Sequence, residues 1–134
     1  MQKMILMVDD DPDDVQFFCN ALYESDQPYY CISVSGAEEA LTFLENTLII
    51  PEFIFLDLNM PCLNGKECLM KLKSNPQSKN IPVIIYSTSS QKKEVEELYK
   101  LGASQFVTKP YSMKTLMNTI SDILENKSSS YSTV

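Results

Sequence analysis

The 134-residue sequence contains no histidine. A histidine-based nucleophile–base pair and a histidine-containing zinc site are therefore excluded. Basic residues are few: 11 stand against 18 acids, for a net charge of −7. Sequence-independent binding to nucleic acid or to an anionic membrane surface needs the opposite sign, so neither partner is expected. The four cysteines, Cys19, Cys31, Cys62 and Cys68, have no CxxC spacing. They read as free thiols rather than a disulfide framework, which suits a reducing compartment. No apolar run reaches the roughly 18 residues of a membrane span. Met1-Gln2-Lys3 leads straight into a short strand-like run without the form of a signal peptide. A cytoplasmic location is the expectation.

What is present is ordinary in amount: 44% hydrophobic and 22% charged residues. The length fits one domain, and such a chain can bury about two thirds of its unfolded surface. Five apolar, β-rich runs alternate with five helical stripes. The runs are Met4 to Val8, Tyr29 to Val34, Phe53 to Leu56, Val83 to Tyr86 and Gln105 to Thr108. After the first, Asp11-Pro12 is a helix start, with Asp as N-cap and Pro at the first helical position. Ser35-Gly36-Ala37-Glu38 reads as a capping box. Ser89 or Ser90 is the expected cap of the fourth helix, Gly102 its stop, and Ser112 the cap of the fifth. Alternating strands and helices with short links imply a parallel sheet covered on both faces. Residues 1–126 are expected to form this single domain, and the Ser-rich residues 127–134 a flexible tail.

Three of the apolar runs end in chemistry-bearing residues. Met4 to Val8 runs into Asp9-Asp10, Phe53 to Leu56 into Asp57, and Phe106 to Thr108 into Lys109. In open α/β sheets, ligands bind beyond the carboxyl ends of the strands. If these strands are parallel neighbours, three acids and a lysine meet at one edge. Close carboxylates repel one another, and a hard divalent cation such as Mg²⁺ relieves that repulsion through oxygen ligands. Lys109 adds a point charge suited to phosphate, and Ser87 adds a hydroxyl at the end of the fourth run. A cation, an ammonium and a hydroxyl together can neutralise a phosphoryl group, and a carboxylate can accept it as an acyl phosphate. Singly, each residue has a plainer role: Asp57 as a turn residue, Asp10 and Asp11 as helix-capping acids, Lys109 as a surface lysine. Their joint placement favours the site.

Four segments carry a resemblance: Val8-Asp9-Asp10-Asp11-Pro12, Phe55-Leu56-Asp57-Leu58-Asn59-Met60-Pro61, Tyr86-Ser87-Thr88 and Phe106-Val107-Thr108-Lys109-Pro110. In order and on the right strands, they resemble the signatures of receiver domains of two-component response regulators. The resemblance spans Met4 to about Glu125, and the Asn59 to Gly65 loop and the Ser74 to Asn80 connection are most similar to stand-alone receivers, including partners of phytochrome-type kinases. It implies a flavodoxin-like (βα)5 doubly wound parallel sheet of strand order 2-1-3-4-5. It implies Asp57 as phosphoacceptor. Asp10, Asp57 and the Asn59 main-chain carbonyl would ligate Mg²⁺, with Asp9 acting through water. Lys109 would contact the phosphoryl group, Ser87 and Phe106 would be the switch pair, and the Lys109–Pro110 bond is often cis in the family. One departure is Cys62, where many receivers have glycine.

The implied function is a phosphoacceptor module rather than an enzyme acting on other molecules. The phosphoryl donor would be a partner histidine kinase or phosphotransfer protein, since this chain has no histidine. The output would be a downstream protein contact at the face of the fourth helix, fifth strand and fifth helix, a face that could also join two copies. A receiver-like scaffold that never carries phosphate is the alternative. An Asp-nucleophile phosphatase would need an acid two residues beyond Asp57, where Asn59 stands. A flavin-binding protein would need a phosphate-cradling loop where Asp9-Asp10-Asp11 is acidic.

Overall fold

The computed structural model describes residues 2–58, 65–88 and 91–125. Its elements follow one another as β1 (Lys3–Val8), α1 (Pro12–Glu24), β2 (Tyr29–Val34), α2 (Ala37–Asn46) and β3 (Phe53–Asp57), then α3 (Gly65–Ser74), β4 (Val83–Ser87), α4 (Lys92–Lys100), β5 (Gln105–Thr108) and α5 (Met113–Glu125). The strands form one sheet in the order β2-β1-β3-β4-β5. Each pairing is parallel. This is the flavodoxin-like architecture expected from the sequence.

The period of two along each strand sends alternate side chains to opposite faces, and both faces are dry. Leu6, Val8, Ile54, Leu56 and Ile85 pack with Ala40, Leu69, Leu72 and Leu98 under α2, α3 and α4. Ile5, Met7, Phe53, Phe55 and Ile84 pack with Phe18, Leu22, Leu116 and Ile120 under α1 and α5. That is why β1 and β3 read as unbroken apolar runs. β2, at the edge, is only partly covered: Ser33 is exposed and Cys31 and Ile32 are intermediate.

Helix ends show where local rules hold. Asp11 caps α1, accepting from the Asp13 N–H at 2.9 Å, with Pro12 at the first position. Ser112 caps α5, accepting from the Thr115 N–H at 3.1 Å. At α4, the Gly102 N–H donates to the Tyr99 carbonyl and the Ala103 N–H to the Leu98 carbonyl. That is a Schellman closure, with Gly102 at φ +110. A Cβ there would meet the Lys73 Cγ at 3.0 Å. Gly102→Ala is expected to cost about 1–2 kcal/mol, read as a lowered urea midpoint; an unchanged midpoint would contradict the closure.

Two caps differ from the sequence reading. α2 begins at Ala37 with Gly36 as its N-cap, and Gly36 makes no side-chain cap bond. The side chain that reaches back is Glu39, which accepts from the Ser35 N–H at 3.2 Å. Glu38 points outward and pairs with Lys71 at 3.1 Å. The helix starts one residue later than a Ser35 cap requires, so Glu39, third in the helix, takes the capping-box position. At α4 the N-cap is Gln91; Ser89 and Ser90, the expected caps, lie outside the described residues. So do the 59–64 loop, with Asn59 and Cys62, and the expected tail at 127–134.

Candidate phosphoacceptor site

The strand order explains the site. β1 and β3 are hydrogen-bonded neighbours, with Val8 in register with Leu56. Asp9 and Asp10 therefore emerge beside Asp57, the last residue of β3. β4 and β5 continue the edge: Ser87 ends β4 in register with Thr108, and the Lys109 N–H donates to the Ser87 carbonyl at 2.7 Å. Backbone pairing thus fixes where Lys109 leaves the sheet. Asp9 is fixed likewise: its N–H donates to the Val34 carbonyl at 3.0 Å, and its Oδ1 accepts from the Asp11 N–H at 2.9 Å.

The side chains converge. One carboxylate oxygen from each of Asp9, Asp10 and Asp57 falls within 4.8 Å of the others. The Lys109 ammonium lies 3.0 Å from Asp57 Oδ1 and 3.8 Å from Asp9 Oδ2. It also sits 5.2 Å from the centre of the Tyr86 ring, whose face attracts a cation. Asp10, Asp11, Pro12, Asp14, Asp57, Thr88 and Lys109 line an open cleft of about 570 Å³. Asp57 is buried within it and Asp10 is exposed, while the buried Asp9 lies just behind the lining.

The electrostatics follow from burial. Asp9 is pushed up to about 7, first by burial and then by the Asp57 charge, with the Asp11 N–H and Lys109 opposing. Its Oδ2 is buried and accepts no hydrogen bond from the described residues. That desolvated oxygen, with only the Lys109 ammonium at 3.8 Å as a described counter-charge, lies beside two further carboxylates, and together they suit a hard divalent cation. For Lys109, burial pulls the ammonium down, but hydrogen bonds to Asp14 and Asp57 outweigh it and hold the group above the ordinary lysine value.

Asp9, Asp10, Asp57 and Lys109 thus come together as the sequence reading expected. Ser87 is fully buried at the end of β4, while the exposed Thr88 lines the cleft. Phe106 is also buried, in the same cluster as Val95 and Leu98 of α4. No described peptide bond is cis, so Lys109–Pro110 is trans. Asp14 is the residue that sequence reasoning missed. Its Oδ2 accepts from the Lys109 ammonium at 2.6 Å. The available signal was its place in the first turn of α1, which puts it at the same edge as Asp9 and Asp10.

A fold of this order with acids and a lysine at this edge defines a class, and comparison with known proteins identifies it. The model of the response regulator receiver domain matches residues 5–121, and the chain belongs to that family of phosphoacceptor signalling modules. It is similar to the response regulator Rcp1 of Synechocystis sp., at 31% identity over 126 residues, covering 90% of this chain and 86% of Rcp1. It is 33% identical over 129 residues to a probable cyclic di-GMP phosphodiesterase of Vibrio cholerae, covering 96% of this chain but 28% of that larger protein. Among solved structures, it resembles the phosphorylated cyanobacterial phytochrome response regulator RcpA with a TM-score of 0.82 and 29% identity, covering 97% of this chain and 99% of RcpA. It resembles the Mn²⁺-bound form of Rcp1 with a TM-score of 0.78 and 31% identity, covering 93% and 94% of the two chains.

Proposed function

We propose that this receiver domain accepts a phosphoryl group on Asp57 with Mg²⁺ and uses it to switch a protein-binding face. The observation that carries this reading is the meeting of Asp9, Asp10 and Asp57 oxygens within 4.8 Å, with the Lys109 ammonium 3.0 Å from Asp57. Carboxylates of Asp10 and Asp57 would hold the cation directly, Asp9 through water, and the Asn59 carbonyl would complete the set. Bound there, Mg²⁺ supplies positive charge to offset that of the phosphoryl oxygens.

The residues do the rest. An Asp57 oxygen attacks phosphorus, the bond to the donor breaks, and the donor's imidazole nitrogen or carboxylate oxygen leaves with the electron pair. Lys109 turns an N–H toward a phosphoryl oxygen and stabilises its charge. The Ser87 hydroxyl donates to a second oxygen once transfer is complete. Phe106 packs in the cluster that includes α4, so a shift at the end of β4 can alter the α4, β5 and α5 face.

The donor is a histidine kinase or phosphotransfer protein, because the chain has no histidine of its own. Similarity to the phytochrome response regulator RcpA favours a kinase of the phytochrome type. The output is a protein contact in the cytoplasm. Incubation with acetyl phosphate and Mg²⁺ is expected to add one phosphoryl group per chain, labile to hydroxylamine and absent with EDTA. A chain that stays unlabelled in Mg²⁺ would instead be the scaffold that never carries phosphate.

A further inference from the structure

Lys109 has more than one anionic partner, and the shortest contact is not with the phosphoacceptor. Its ammonium is 2.6 Å from Asp14 Oδ2 and 3.0 Å from Asp57 Oδ1. The lysine side chain is 8% exposed and that of Asp14 38% exposed. The pair therefore has one largely desolvated member and is worth more than a surface ion pair. The two acids come from different elements, Asp57 from β3 and Asp14 from the first turn of α1, and Lys109 bridges them from the end of β5.

Transfer changes one of these partners and not the other. Once Asp57 becomes an acyl phosphate, its carboxylate no longer exists as a counter-charge. Asp14 remains. We propose, building on the phosphoacceptor reading, that Asp14 is a positioning residue for Lys109, holding its ammonium at the cleft before and during phosphoryl transfer. Two N–H groups are then committed to Asp14 and Asp57, and the bond to Asp57 is the one handed to the phosphoryl oxygen. With the ammonium held on its other side, that exchange is a small rotation rather than a search by a flexible side chain.

The test uses the full chain, acetyl phosphate as donor, and a titration of Mg²⁺. In Asp14→Ala the maximal labelling rate is expected to fall about fivefold, while the Mg²⁺ concentration giving half the maximal rate stays within about twofold. Asp14→Asn keeps an oxygen acceptor without the charge and is expected to recover part of the rate. Asp13→Ala controls for net charge and helix dipole, since Asp13 is exposed one residue away; its rate should match wild type. In a Lys109→Ala background, Asp14→Ala should cause no further loss, because its effect runs through the lysine. An unchanged or faster rate in Asp14→Ala, or an equal loss with and without Lys109, overturns the assignment. Normal wild-type labelling with an indifferent Asp14→Ala removes only this role, whereas an unlabelled wild type removes the phosphoacceptor reading beneath it.

Discussion

Asp57→Asn is expected to leave a folded protein that takes up no phosphoryl group from acetyl phosphate and Mg²⁺. The two side chains are nearly the same size, so the packing at the end of β3 survives. The Lys109 ammonium keeps Asp14 at 2.6 Å, so no buried charge is stranded. What goes is the nucleophile: an amide oxygen does not form an acyl phosphate under these conditions. The expected loss is complete, measured by intact mass. Labelling near the wild-type level would mean that another carboxylate, Asp9 or Asp10, is the acceptor.

Phe18→Ala is expected to be the most damaging of the simple core truncations beside the site, at about 3–5 kcal/mol. Phe18 is fully buried. Its ring centre is 4.8 Å from that of Phe55 and 5.7 Å from that of Tyr86. It thus fastens α1, which carries Asp14, to the two strands that carry Asp57 and Ser87. Removing it leaves a cavity between α1 and the sheet, beside the Phe55 and Tyr86 rings. With a typical domain stability of about 5–15 kcal/mol, this consumes a large share. Urea unfolding should show a much lower midpoint with an unchanged slope; a loss under about 1 kcal/mol would mean that α1 can collapse onto the sheet.

The fold was legible because its strands are apolar on both faces. Phe53 to Leu56 and Val83 to Tyr86 read as strands buried on both faces from their short, β-rich apolar runs, and each extends one residue further than read, to Asp57 and Ser87. Those added residues are the chemistry-bearing ones, held in the ladder by pairings such as Asp57 with Tyr86. The acids and Lys109 were legible for a related reason: parallel strands put their carboxyl ends at one edge, so position in the strand gives position in the site. The Asp14–Lys109 bond was not, since its partners are separated by 95 positions. It depends on the rotation of α1 over the sheet, which packing around Phe18 decides. In the run Asp9 to Asp14, a first-turn acid also has an adequate local reason in the helix dipole. The shift from Glu38 to Glu39 at α2 has the same character: one residue in helix start decides which acid faces the backbone.

The most direct test of the central claim is to trap the acyl phosphate and locate it. After reaction with acetyl phosphate and Mg²⁺, borohydride reduction converts a phosphorylated aspartate to homoserine, which peptide mass mapping assigns to one position. Homoserine at Asp57, and its absence when Mg²⁺ is withheld, is the expected result. Homoserine at any other aspartate, or at Asp57 regardless of Mg²⁺, would contradict it.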